Sequence, residues 1–169
     1  MLPQFATSTD PKSLLRAPEV MSRLDEMGPQ SSFHRVIDES ATIAANDQVR
    51  RVVLCSGKIY FDLVKARAEG GDDRVALVRV EQLYPFPTKA LINELSRFKQ
   101  AEIVWCQEEP RNMGSWFFVD TFIRWVLEQI GAKYKQPRYA GRPASAATAT
   151  GLMSKHLAQL KQFLDEALG

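Results

Sequence analysis

Three short stretches, Arg51 to Cys55 (RVVLC), Val75 to Val80 (VALVRV) and Glu102 to Cys106 (EIVWC), are β-branched and almost uninterruptedly apolar. A strand with one wet face alternates polar and apolar residues, so runs of this kind predict strands covered on both faces. Between them the period changes to that of a helix. Tyr60, Leu63, Val64 and Ala68 mark one face of a helix that Ser56-Gly57 opens and Gly70-Gly71-Asp72-Asp73 ends. Leu91, Leu95 and Phe98 mark a second, with Pro87 suited to its first turn. A third is expected from Met113 to about Ile130, with Asn112 as N-cap. A short basic strand follows near Arg138 to Ala140. The last helix is expected from about Gly151 to Leu168, with Thr150 as N-cap and Leu157, Leu160, Leu164 and Leu168 on one face. Strand and helix alternate, with connections too long for hairpins. The pattern predicts an α/β domain of three layers on a mostly parallel sheet of about five strands, with Val53, Val78 and Val104 buried at its centre.

The first 48 residues are different. They carry Pro3, Pro11, Pro18 and Pro29 and little sustained periodicity, so residues 1–48 read as an extended lead-in and 49–169 as the domain. Only Phe33 to Ile37 has a weak strand signal. Four basic and seven acidic residues give this stretch a charge of −3, against +5 for the remainder. The whole 169-residue chain sums to +2, too little for the field of a nucleic-acid binder. No run approaches the roughly 20 apolar residues that span a bilayer. Two cysteines, Cys55 and Cys106, make no disulfide framework and no CxxC pair, which favours a reducing compartment. Both end apolar strands, and both are expected reduced and buried.

The sequence contains no GxGxxG, GxxxxGK[ST], HExxH or GxSxG pattern, and its two histidines, His34 and His156, lie far apart in sequence. No catalytic residue is assigned. Ser56, Gly57 and Lys58 follow a strand and open a helix, so they could hold an anion at the helix N-terminus, or simply make the turn. Glu108 and Glu109 lie beyond the carboxyl end of a strand, where open α/β sheets bind ligands, yet acidic groups are also favoured near a helix start. Arg111 could pair with either glutamate. Lys133 to Arg142 holds four basic residues and two tyrosines without an acid. It suits an acidic partner as well as it suits protection of a sheet edge. On the third helix Trp116, Val119, Ile123, Val126 and Ile130 form one stripe, while Phe117, Phe118, Phe122, Trp125 and Leu127 cover much of the rest. Such a helix is enclosed on most sides or meets a partner.

Five ordered motifs resemble 2-oxoglutarate dehydrogenase, a thiamine-diphosphate-dependent decarboxylase component. They are Lys12 to Arg16, Val53 to Tyr60, Arg79 to Pro87, Val104 to Pro110, and Gly141 to Ser145. The resemblance covers only that family's C-terminal, transketolase-C-like domain, which implies a mainly parallel sheet with one antiparallel strand. It further implies that thiamine diphosphate and Mg²⁺ lie between other domains of paired subunits. The cofactor motif, GDG followed by a distant Asn, is absent here. Gly71-Asp72-Asp73 with Asn93 does not reproduce it. Some bacterial relatives bind acetyl-CoA as an effector. The corresponding positions here are Gln82 and Lys89-Ala90, with Ser32 in place of a basic residue. Ala147-Thr148 stands where relatives carry Ser-Pro, and Met1 to Asp10 is unlike family sequence.

The expectation is therefore a C-terminal organising domain, not catalytic alone. Its partners would be the remaining domains of the dehydrogenase, a second subunit and, indirectly, the lipoyl succinyltransferase component. It would act in the cytoplasm, or in the mitochondrial matrix of a eukaryote. The alternative is a stand-alone module binding a nucleotide or CoA at Ser56 to Lys58 and Glu108-Glu109.

Overall fold

The structure is a computed structural model that describes Leu24 and residues 28–169. The chain divides into two units, Met1–Arg35 and Val36–Gly169. In the described part of the first, the N–H and Oγ of Ser31 both donate to the Gly28 carbonyl, at 2.9 and 2.7 Å. The Lys12–Arg16 motif and, apart from Leu24, the expected lead-in up to residue 27 lie outside the described residues.

The second unit is built on one five-stranded sheet. In chain order its elements are β1 (Val36–Ile37), β2 (Arg51–Cys55), α1 (Ile59–Gly70), β3 (Val75–Val80), α2 (Thr88–Leu95), β4 (Glu102–Gln107), α3 (Trp116–Gln129), β5 (Arg138–Gly141) and α4 (Met153–Leu168). A 3₁₀ turn, Ser96–Phe98, extends α2. The spatial order is β1-β3-β2-β4-β5. Strands β3, β2, β4 and β5 are parallel, and β1 pairs antiparallel with β3 through Val36↔Val80 and Ile37↔Arg79. The antiparallel strand thus comes from before Val49.

Alternation along each strand assigns the two cores. Val52, Leu54, Ala76, Val78, Ile103 and Trp105 face α2 and α3. Val53, Cys55, Val75, Leu77, Val104 and Cys106 face α1 and α4. Neither face is wet, so neither parity of position is polar. Val53, Val78 and Val104 are buried as expected.

Two consecutive arginines look like violations of that pattern. Arg50 donates to the carbonyls of Leu168 and Gly169 at 2.6 and 3.0 Å, and Arg51 to that of Ala167 at 3.1 Å. The last carbonyls of α4 have no partner within the helix and carry the negative end of its dipole, so two guanidinium groups both satisfy and neutralise them. Arg51 is further paired with Glu102 at 2.6 Å, and Arg50 with Asp72 at 2.8 Å. The Arg74 N–H and the Arg50 side chain hold the Asp72 carboxyl down at about 2. Because the folded pKa lies below the ordinary value of 3.8, the ionised carboxylate stabilises the fold above about pH 4, and this contribution disappears as pH falls toward 2. Asp72→Asn is therefore expected to lower the Tm at neutral pH, with the difference from the parent chain closing between about pH 4 and 2. A difference independent of pH would contradict this pairing.

The open edge of β3 beyond β1 is finished by side chains. Glu39 Oε2 accepts the Leu77 N–H at 2.8 Å, Arg67 donates to the Val75 carbonyl at 2.8 Å, and Arg67 and Glu39 pair with each other.

Several helix boundaries and faces differ from the expected ones. In α4 the buried residues are Phe163, Leu164 and Ala167, while Leu157 is exposed. Leu160, Leu164 and Leu168 of the expected stripe pack on that core, and only Leu157, a turn before them, stands clear of it. Thr150 does not cap α4; its hydroxyl donates to the Leu152 carbonyl at 3.2 Å. Asn112 does not cap α3, which begins after Ser115. Instead its side chain bonds both the N–H and the carbonyl of Ser145, each at 2.9 Å, joining the loop after β4 to the loop after β5. On α1, Ala66 rather than Ala68 packs on the core. None of the described helices is long and apolar enough to cross a membrane.

Candidate functional site

The carboxyl ends of β2, β4 and β5 meet on one side of the sheet. Strand β2 runs into α1 on one face and β4 leads to α3 on the other, which opens a crevice between their loops. The turn out of β2 uses Gly57 at φ +70°, a conformation that side-chain-bearing residues rarely adopt. That turn delivers Lys58 at the start of α1, and Glu108 follows β4. The two residues, 50 positions apart in sequence, are brought to 2.7 Å. Asp62, one turn along α1, lies 3.5 Å from the same ammonium. Burial alone would lower the Lys58 pKa, but bonding and charge from Glu108 and Asp62 outweigh it and raise the pKa above the ordinary lysine value. The expected anion site at Ser56, Gly57 and Lys58 therefore already holds a carboxylate of the chain itself.

Glu108 also accepts from Arg142 at 3.3 Å, and the same Arg142 nitrogen lies 2.7 Å from His156 Nδ1. Arginine can only donate, so Nδ1 is the lone-pair nitrogen of that imidazole. The result is a chain of contacts, Asp62–Lys58–Glu108–Arg142–His156, that ties α1 to α4 across the ends of three strands. Arg142 and His156 were not singled out as site residues. The only sequence signal was an arginine following β5 in an otherwise basic stretch. Glu109 is exposed, so the two adjacent glutamates do not converge on one site. Arg111 pairs with neither; its guanidinium stands 5.5 Å from the Tyr139 ring centre.

Beneath the crevice, Gln107 is buried and uses both ends of its amide. Its oxygen accepts from Trp105 Nε1 and from the Trp116 N–H, each at 3.0 Å, and its nitrogen donates to the Met113 carbonyl at 2.8 Å and to those of Glu109 and Pro110 at 3.3 Å. This one side chain organises the whole loop from β4 to α3. Burial pushes the Tyr139 hydroxyl up to about 12, and it donates to the Arg142 carbonyl at 2.9 Å.

The effector positions implied by the resemblance lie apart from this chain of contacts. Gln82 donates its amide to the Pro85 carbonyl at 2.6 Å, and Lys89 is exposed on the first turn of α2. Cys55 and Cys106 are free and buried. Burial pushes both thiols up, Cys106 to about 12, so neither offers thiolate at neutral pH. A thiol reagent is expected to label them only as fast as the domain opens, and at once in denaturant. Equally rapid labelling under both conditions would contradict the burial.

Among the described residues no group of three or more His, Cys, Asp or Glu side chains is placed to hold a metal ion.

The surface of α3 completes the picture. Trp116, Val119, Ile123, Val126, Leu127 and Ile130 are buried, so Leu127 belongs to the core and not to the outer face. Phe117 at 67%, Trp125 at 46% and Phe118 at 40% remain exposed. Phe118, Phe122 and Phe86 pack ring on ring beside them, with centres 4.9 to 6.5 Å apart.

Comparison with known proteins places these features in context. The family model described as 2-oxoglutarate dehydrogenase C-terminal matches residues 21–168. The chain is 59% identical over 167 residues to the 2-oxoglutarate dehydrogenase E1 component of Brucella anthropi and 58% identical to that of Brucella abortus. In both cases the match covers 94% of this chain and only 17% of the relative's length. Among solved structures, a split-gene transketolase described as an inactive β4 tetramer shares the fold, with a TM-score of 0.51 at 14% identity over 83% of this chain and 44% of that one.

Proposed function

Because this chain belongs to the 2-oxoglutarate dehydrogenase C-terminal family, we propose that it is the subunit-organising domain of a thiamine-diphosphate-dependent dehydrogenase and is not catalytic alone. The parent enzyme would decarboxylate 2-oxoglutarate, a step of the tricarboxylic acid cycle, and pass the succinyl group to lipoyl-lysine on the succinyltransferase component. Thiamine diphosphate and Mg²⁺ would be held by the other domains. Residues up to Arg35 would connect the sheet to those domains. The two free, buried cysteines suit a reducing compartment such as the cytoplasm. Ser56, Gly57 and Lys58, with Gln82 and Lys89, belong to the same reading as accessory sites, where an incoming anion would have to take Lys58 from Glu108. A self-standing nucleotide- or CoA-binding module is not favoured, since the family match runs over most of the chain.

One observation carries the proposal: the aromatic face of α3, where Phe117, Phe118 and Trp125 stay exposed beside a stack of phenylalanines. Each large apolar side chain newly buried is worth roughly 1.5–3 kcal/mol, so a cluster of this kind drives association with another domain or subunit. The isolated chain is expected to self-associate in sedimentation velocity, and a Phe117→Ser/Trp125→Ser double variant to sediment as a monomer with an unchanged fold. It is also expected to release no CO₂ from 2-oxoglutarate and to keep the same Tm when thiamine diphosphate and Mg²⁺ are added. A parent chain that stays monomeric at high concentration would remove the organising role, and CO₂ release would remove the non-catalytic one.

A further inference from the structure

A second concavity lies beside Arg142, away from Lys58. It has a volume of about 230 Å³ and forms between the loop that follows β5 and the first turns of α4. Its polar lining is Arg142, Ser145, Thr148, Thr150, Lys155 and Gln159; the rest is proline and alanine, and no carboxylate lines it. Two side-chain atoms of this lining lack a partner. Arg142 is only 6% exposed, yet its Nε is buried with no acceptor among the described residues. The Oε1 of Gln159 is also buried without a donor, but as an acceptor it offers nothing to an anion. A buried guanidinium N–H left unbonded is costly, and native proteins rarely leave one without a water or ligand. Glu108 answers Arg142 from the crevice side at 3.3 Å, but through Nη2 and not through Nε.

We propose that this cavity binds the phosphate group of a small phosphate ester. Two cations and the Ser145 and Thr148 hydroxyl groups exceed what the two oxygens of a carboxylate can use. They match the three oxygens and near-double negative charge of a phosphate monoester. A volume of about 230 Å³ falls below the roughly 300–1,000 Å³ of pockets that enclose whole drug-sized ligands. The cavity therefore takes the phosphate and a few attached atoms, leaving the rest of the ligand outside.

The test is a calorimetric titration of the 169-residue chain with inorganic phosphate, with glycerol 3-phosphate and with succinate at constant ionic strength, mapped by amide NMR shifts. Saturable binding of both phosphates, at least tenfold tighter than succinate and with shifts centred on residues 142–155, is expected. Lys155 is exposed, so Lys155→Gln leaves the fold intact. It should weaken phosphate about tenfold, the usual size of a lost charge-assisted bond. Arg142→Lys keeps the charge but loses the Nε donor, and should weaken it at least as much; its folding is checked by circular dichroism. No saturation, no preference over succinate, or affinity unmoved by Lys155→Gln would each overturn the assignment. So would shifts confined to Lys58 and α1, which would locate the anion in the crevice instead.

Discussion

Glu39→Ala is expected to lower the unfolding free energy by about 3–5 kcal/mol, the usual cost of removing one member of a buried ion pair. The Glu39 side chain is 2% exposed and Arg67, its partner, 10%. The variant strands a guanidinium that cannot reach water without leaving the Val75 carbonyl, and it takes the acceptor from the Leu77 N–H. The three hydrogen bonds that Glu39 accepts, two from Arg67 and one from the Leu77 N–H, are lost together. Glu39→Gln keeps an acceptor for Leu77 and should cost less than Glu39→Ala. Adding Arg67→Met to Glu39→Ala should recover a substantial part of the loss, because the stranded charge goes with it. Urea unfolding of these four chains and of Arg67→Met alone measures this. A single-variant loss below about 1 kcal/mol, or strict additivity in the double variant, would show that the pair is solvated and not structural.

Gln107→Leu is expected to cost about 3–4 kcal/mol despite conserving volume and adding apolar surface. A hydrophobic replacement would normally suit a residue 4% exposed. Here it orphans two buried donors, Trp105 Nε1 and the Trp116 N–H, together with the Met113 carbonyl, at roughly 1–3 kcal/mol for each group left unpaired in the interior. The loop from Glu108 to Ser115 then loses what shapes it, and the α3 start moves with it. Gly114→Ala attacks the same centre from outside. Its Cβ would stand 2.7 Å from Gln107 Nε2, at a backbone φ of +66° that disfavours any side chain. Thermal unfolding with tryptophan fluorescence reads both variants, since Trp105 and Trp116 flank the amide. Loss of stability by either variant no greater than that of an exposed-residue control such as Gln48→Ala would refute the role of Gln107.

The crevice was half legible in the sequence. Lys58 and Glu108 were identifiable because each follows a strand whose apolar run marks its end, and parallel strands bring their carboxyl ends together. That their charges meet at 2.7 Å was not. Arg142 and His156 were illegible for a related reason: an arginine in a basic stretch looks solvated until the fold buries it. Asn112 carried a true signal for a side chain that bonds backbone, but it bonds the backbone of Ser145, 33 residues away, and not its own helix.

By itself the sequence determined the elements and their layering. Uninterrupted apolar runs mean strands with two covered faces, and the helical periods between them leave a parallel sheet as the outcome. These are local properties, set by the spacing of apolar residues along a few turns or pleats. The tertiary structure alone decided which polar side chains are buried and what they hold. Arg50 and Arg51 sit on the end of a helix more than a hundred residues later, Glu39 stands in for a missing strand, and Gln107 fills the place of a loop's own hydrogen bonds. Hydrophobic burial is non-directional and is read from pattern, whereas a buried hydrogen bond exists only when two groups distant in sequence meet within about 3 Å, and no pattern along the chain encodes that distance.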